Sequence, residues 1–273
     1  MTSYTPVHLD WPGLLNARDL GGMPLDGGAL VRERALIRSE SLSWLEPDGV
    51  RAARAYGTVR VIDLRLPVET VEYAHPFGGP AENGQAREPG VPEYLNLPVQ
   101  EPGDPEEGPW AHLYAGMLKR RPALFARAVG AIADAPEGPV LVHCAAGKDR
   151  TGLVVAFALS LAGAADEHIA DDYELTNSRL APRWKRHVAA IDQARAAYEE
   201  REAVASGEAG DADEGELPVW LHTARRTAGT RDVMLDTLAG LRAEYGSVAE
   251  YLAHGGLADR QREELVKRIR GEG

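Results

Sequence analysis

A short apolar strand that runs into a polar turn and then an apolar helix constrains this chain more than any other feature. The strand is Gly138-Pro139-Val140-Leu141-Val142-His143, bounded by Gly and Pro. The turn covers the ten residues from His143 to Gly152, and an apolar helix follows from Gly152. Such a run reads as a strand buried inside a sheet. Around it, Thr58 to Leu64 reads as a second β-branched strand and Glu93 to Leu97 as a third. Residues 29–38 alternate as a strand or hairpin arm. Helical periodicity covers 48–56 and 110–134, interrupted at Pro122, and continues through most of the chain beyond 165. Residues 75–109 are rich in Pro and Gly and read as mostly loop. Early strands with helices between and after them predict an α/β layer fold with a helical C-terminal part. The acidic stretch 203–217 reads as a loop between two helices, so residues 1–273 are expected to form one domain.

Composition excludes several function classes. Hydrophobic residues make up 44% of the 273, enough for a sizeable core. Lys and Arg number 30 against 42 Asp and Glu, a formal charge of −12. An acidic surface repels phosphate backbones, so no nucleic-acid partner is expected. Cys144 is the only cysteine, which forbids an intrachain disulfide and fits a cytoplasmic location. The first ten residues lack the basic and apolar regions of a secretory signal. The longest apolar stretch, Leu153 to Ala165, falls short of the roughly 20 residues that span a bilayer, so no membrane insertion is expected.

The turn itself carries chemistry: His143-Cys144-Ala145-Ala146-Gly147-Lys148-Asp149-Arg150-Thr151-Gly152. Between a strand and a helix N-terminus, backbone N–H groups of Ala145, Ala146 and Gly147 aim inward and form an anion cradle. Cys144 stands at the strand end, where the helix terminus and nearby cations favour the thiolate nucleophile. Arg150, six residues on, can clamp two phosphate oxygens with its planar fork, and Lys148 adds a point charge. The matching reaction is attack of sulfur on phosphorus followed by hydrolysis of a cysteinyl-phosphate. Asp149 is the local proton donor for the leaving group, since a neighbouring phosphate dianion favours its protonated form. Asp149 also suits a helix cap, and Lys148 a solvated charge. The Thr151 hydroxyl can hydrogen-bond the sulfur as it departs. His143, on the opposite side of the strand, reads as a packed histidine that shapes the loop.

Outside the turn, Asp63 and Arg65 stand at a strand's C-terminal end, where α/β sites collect. Asp63 either lines the pocket or orients Arg150, or else serves as a cap or surface residue. Arg18 and Asp19 are open to the same two readings, with a structural ion pair as the plain one. The remaining histidines show no ligand spacing and one cysteine makes no zinc site, so no metal and no cofactor are expected.

The ten-residue turn resembles the signature loop of the cysteine-based phosphatases, Cys-x5-Arg-Ser/Thr. Its Gly-Lys-Asp-Arg-Thr-Gly form resembles a bacterial tyrosine-phosphatase family that acts on phosphotyrosine and, in some members, on phosphoserine, phosphothreonine and phosphoinositides. Asn16-Ala17-Arg18-Asp19-Leu20-Gly21-Gly22 is similar to that family's N-terminal motif, with Ala17 where an aromatic is usual. Asp63-Leu64-Arg65, Asp172-Tyr173-Glu174-Leu175-Thr176-Asn177 and Tyr245-Gly246-Ser247 with Tyr251-Leu252 follow in family order. The resemblance implies a central, mainly parallel sheet flanked by helices. It implies Cys144 as nucleophile, Arg150 as phosphate clamp and Asp149 as general acid. It also implies a helical lid, for which residues 183–204 and 218–229 are the candidates, an insertion at about 183–229.

The leading reading is a phosphomonoester hydrolase acting on a phosphorylated protein or a phosphoinositide. A catalytically weak phosphate-binding module and a sulfur-transfer enzyme are the competing classes. The intact Cys144, Asp149 and Arg150 argue against the first, and the Cys-to-Arg spacing with Thr151 argues against the second. Arg120, Arg121, Arg183, Lys185 and Arg186 could form a basic rim or a solvated helix face.

Overall fold

The computed structural model describes residues 4–77, 90–104, 110–206 and 229–271, with the backbone alone at 110–111 and 187–206. Six strands form one sheet: β1 (Val7–His8), β2 (Arg18–Asp19), β3 (Leu36–Ser39), β4 (Arg60–Asp63), β5 (Glu93–Asn96) and β6 (Val140–His143). Their order is β1-β2-β3-β6-β4-β5. β3, β6, β4 and β5 run parallel, while β1 and β2 add an antiparallel edge. β6 is therefore central, as its unbroken apolar run requires: all four of its residues are buried. In register, Ser39 and Asp63 lie on either side of His143, and Asn96 beside Asp63. Four strand ends thus meet at one edge, immediately before Cys144.

The helices in chain order are α1 (Pro47–Ala55), α2 (Pro67–Glu72), α3 (Trp110–Arg120), α4 (Pro122–Ala133), α5 (Asp149–Leu161), α6 (Asp166–Ser206), α7 (Arg231–Tyr245), α8 (Val248–His254) and α9 (Asp259–Arg270). Proline sets several of these boundaries. Pro47, Pro67 and Pro122 open α1, α2 and α4, where the missing N–H costs nothing. The same residue Pro122 explains why the helical periodicity of 110–134 breaks in two.

Strand alternation divides the core between the two faces of the sheet. Leu36, Ile62, Val140 and Val142 face one side, with α4, α5, α8 and α9 contributing Phe125, Phe157, Leu252 and Ile269. Ile37, Val61 and Leu141 face the other, packed with Trp11, Leu14, Leu42 and Ala53. α5 is buried along nearly its whole length, and each fully buried Leu, Val or Phe contributes about 1.5–3 kcal/mol. Cys144 belongs to the same side as Val142, and His143 to the other, as period-two geometry dictates.

Two local expectations are corrected. Residues 29–38 do not form one strand: only Leu36–Ser39 joins the sheet, because Arg34 at φ 61° turns the chain just before it. Leu30 makes no more than an isolated bridge to Pro24. α5 begins at Asp149 and not at Gly152, since an acidic residue is favoured at the positive end of a helix. That shift brings Asp149 and Arg150 into the helix's first turn.

The chain divides into two compact units, Met1–Thr176 with Gly229–Gly273, and Asn177–Ala228. Of the second, residues 177–206 are described, and they continue α6 as helix with Pro182 inside it. Of the lid candidates, residues 183–204 are helix, the later part of α6, and residues 218–228 lie outside the described ones. Among the described residues, no helix is long and apolar enough to cross a membrane.

Candidate active site

The site is a loop between β6 and α5, braced from behind. Cys144 follows the last residue of the central strand and is 2% exposed. The loop carbonyls are bound from the protein side. Ser41 N–H donates to Ala145 O at 2.9 Å. Asn16 Nδ2 donates to Ala146 O at 3.4 Å and Gly147 O at 3.5 Å. Arg38 Nη2 donates to Gly147 O at 2.8 Å and Lys148 O at 3.4 Å. In a trans peptide the next N–H points away from the carbonyl. Holding these carbonyls back therefore turns the N–H groups of Ala146, Gly147, Lys148 and Asp149 to the other side, the geometry of an anion-binding nest.

Gly147 is obligatory in this loop. It has φ 66°, and a Cβ there would meet Ser39 O at 2.1 Å. A side chain would push the loop off the end of β3.

The brace is itself a buried charged cluster. Asp172 on α6 accepts from Arg18 Nε at 2.7 Å and from Arg38 Nη1 at 2.6 Å. Arg18 also donates to Asp172 O, Thr176 Oγ1 and Asn16. All three charged residues are buried. Burial pushes the Asp172 carboxyl up, but the two guanidiniums outweigh it and hold it below its ordinary value. Glu40 completes the brace by accepting from the Leu15 and Asn16 N–H groups. The Asn16-Ala17-Arg18-Asp19 segment is thus a scaffold. Arg18 pairs with Asp172 and not with Asp19, which binds Gly21 N–H, Arg34 N–H and the Tyr56 hydroxyl.

Arg150 extends its fork to a carboxylate that sequence reasoning missed. Glu69 on α2 accepts from Arg150 Nη1 at 2.5 Å and Nη2 at 3.0 Å, and from Leu66 N–H at 2.7 Å. Burial pushes Glu69 up, yet the Arg150 bonds outweigh it and hold the carboxyl below its ordinary value. The one sequence clue to Glu69 is its place two residues after Pro67, where it caps its own helix.

Asp63 does not orient Arg150, and it is neither exposed nor a helix cap. It is fully buried and binds Arg65 through Nε and Nη2, with Tyr94 donating at 3.0 Å. Burial opposes its charge, but the Arg65 guanidinium and its hydrogen bonds outweigh it and keep Asp63 well below the carboxylate range. Its two-residue spacing from Arg65 lets the pair close locally, which removes it from the phosphate cradle.

His143 is fully buried, and its Nδ1 lies 3.2 Å from Cys144 O. Asp63, His75 and His143 offer ligand atoms within 4.8 Å of one another, a cluster that histidine spacing along the chain does not reveal. The donor set suits a cation poorly. Phe77 N–H donates to His75 Nδ1, which places that ring's proton on Nε2. Asp63 is meanwhile held by a guanidinium. Burial beside His143 pushes His75 down to about 2, and burial likewise lowers His143, so both rings are neutral packing groups.

The remaining loop residues are distinct. Lys148 occupies the cap position of α5 without a side-chain cap bond, and Asp149 is the first helical residue. Lys148 is 3% exposed, with Nζ 5.7 Å from the Tyr173 ring centroid, so it is not a solvated charge. Burial pulls it down to about 8. Tyr114 donates to Asp149 Oδ1. Thr151 Oγ1 is buried with no hydrogen-bond partner among the described residues. Of the expected basic rim, Arg120 and Arg121 are paired with Asp104 and Glu101. Arg183, Lys185 and Arg186 belong to the second unit.

Comparison with known proteins agrees with this geometry. The profile described as "Tyrosine phosphatase family" matches residues 9–271. A tyrosine-protein phosphatase of Nostoc commune is 28% identical over 156 residues, 57% of this chain and 47% of that protein. The triple specificity protein phosphatase PtpB of Mycobacterium tuberculosis is 27% identical over 289 aligned positions, 95% of this chain and 96% of that protein. The chain thus spans about half the Nostoc relative and nearly all of PtpB.

Proposed function

The chain belongs to the tyrosine phosphatase family, and from that membership and the loop geometry we propose that it hydrolyses phosphomonoesters, with phosphotyrosine proteins as the first substrate class. One observation carries the reading: the loop after β6 has its carbonyls bound from behind, its N–H groups turned outward, and Cys144 and Arg150 at its two ends.

In the first step the Cys144 sulfur attacks phosphorus and the P–O bond to the leaving group breaks. Asp149 passes its proton to the departing oxygen. Arg150 and the N–H groups of Ala146 to Asp149 stabilise the charge on the equatorial oxygens. In the second step a water attacks phosphorus and gives its proton to Asp149. The S–P bond breaks, and its electron pair returns to sulfur. Ala145 and Ala146 contribute backbone alone, and Gly147 admits the loop against β3.

The printed specificity of PtpB supports extending the proposal to phosphoserine and phosphothreonine. Lys148, a cation beside the cradle, supports a phosphoinositide arm. A cytoplasmic location is the accompanying proposal. Turnover of p-nitrophenyl phosphate by the full chain tests the core reading. Cys144→Ser is expected to remove it by about 10⁴-fold or more while phosphate is still bound. Binding without turnover in the unmodified protein would point instead to a phosphate-binding module.

A further inference from the structure

Behind Asp149 the fold places two buried tyrosines that the reaction as written does not use. Tyr114 on α3 is fully buried, and its hydroxyl donates to Asp149 Oδ1. Tyr173 on α6 is also fully buried, with its hydroxyl 2.8 Å from that of Tyr114. Tyr114 has one hydroxyl proton. When it goes to Asp149, the bond between the two hydroxyls has to run from Tyr173 to Tyr114. The chain of donation is therefore Tyr173 to Tyr114 to Asp149.

The surroundings are shaped for this chain. A Cβ on Gly152 would meet Tyr173 Cδ2 at 2.7 Å, and one on Gly229 would meet the Tyr173 hydroxyl at 2.2 Å. Two glycines, one on α5 and one at the entry to α7, thus leave the room that this ring occupies. The Lys148 ammonium lies over its face.

We propose that Tyr114, supported by Tyr173, is a positioning residue that fixes which oxygen of Asp149 carries the transferable proton. The proposal rests on the reading of Asp149 as general acid. With Oδ1 occupied as an acceptor, the proton of the neutral acid resides on Oδ2. Once it has moved to the leaving oxygen, the Tyr114 bond stabilises the new carboxylate, which then takes a proton from the attacking water. Burial and the adjacent Asp149 keep both tyrosines protonated far above their ordinary range, so the donors persist wherever the enzyme works.

The test compares kcat/KM on phenyl phosphate, whose leaving group needs a proton, with that on p-nitrophenyl phosphate, whose leaving group hardly does. Tyr114→Phe is expected to lose about tenfold on the first and less than about threefold on the second. Tyr173→Phe should show the same selectivity at smaller size, and it serves if Tyr114→Phe melts. Added to Asp149→Asn, Tyr114→Phe should cost no more than about twofold further, since it acts through a group already lost. Equal slowing on both substrates, or full additivity with Asp149→Asn, would overturn the positioning role. If Asp149→Asn alone shows no leaving-group selectivity, the acid reading itself fails. If Asp149→Asn shows it and neither tyrosine variant does, only the present inference fails.

Discussion

The Arg18–Asp172–Arg38 cluster behind the loop and the Arg150–Glu69 pair at its end use the same two chemical groups to different effect. Behind the loop, the side chains of all three residues are 1% exposed or less, and the arginines reach Asn16, Thr176 and the Gly147 carbonyl as well. No incoming ligand can reach that carboxylate. At the loop's end the partners are 14% and 26% exposed, and Arg150 lies in the first turn of α5. A phosphate can therefore compete with Glu69 for the guanidinium. The comparison separates a charge pair that shapes a backbone from one that holds the proposed phosphate clamp.

Removing the inner carboxylate should have the largest effect. Asp172→Asn leaves two buried guanidiniums without a counter-charge, and an expected loss of about 3–5 kcal/mol is measurable by urea denaturation. A loss below about 1 kcal/mol would show that the cluster does not support the loop. The outer pair should behave differently. Glu69→Gln is expected to change stability by about 1 kcal/mol or less. Deleting a negative charge near the bound dianion should lower KM, while Arg150, less well oriented, should lower kcat about tenfold. Steady-state kinetics on p-nitrophenyl phosphate reads both, and a rise in KM with unchanged kcat would contradict the competition.

Lys148 tests the comparison through pH. Its folded value of about 8 lies below its ordinary 10.5, so the buried charge destabilises the fold below pH 8. That penalty fades as pH rises from about 8 to 10.5. Lys148→Met is therefore expected to stabilise the protein by on the order of 1–3 kcal/mol at pH 7, with the gain shrinking toward pH 10.5. In the unmodified protein, sulfate inhibition should weaken between pH 7 and 9 as the ammonium loses its proton. A flat profile in Lys148→Met, set against a falling one in the parent, would assign that loss to this side chain.

What the sequence reveals and what it hides divide along chain separation. β6, the turn, α5, and the roles suggested for Cys144, Asp149 and Arg150 sit within one continuous run, where local propensity and spacing speak directly. The groups that complete the site come from afar. Glu69 is 81 residues from Arg150, Tyr114 is 35 from Asp149, and Asp172 is 134 from Arg38. Asp172 stands in a stretch that carries the family resemblance, but nothing in the local pattern of the other two marks them: Tyr114 reads as one more apolar helical position, and Glu69 as an ordinary cap. Asp63 misled for the opposite reason. It stands where an α/β site residue should, but a nearer arginine satisfies it. The His75–His143 stack was hidden as well, since ring centroids 5.2 Å apart join segments separated by most of the domain's middle.

The central place of β6 has a consequence for biogenesis. Its partners on both sides, β3 (Leu36–Ser39) and β4 (Arg60–Asp63), both precede it in the order of synthesis, and each already has its own neighbour: β2 for the one, β5 for the other. Until Val140–His143 leaves the ribosome, these are two half-sheets with open edges. The segment that joins them runs directly into Cys144. A nascent chain can therefore complete this sheet only after residue 143 has been made.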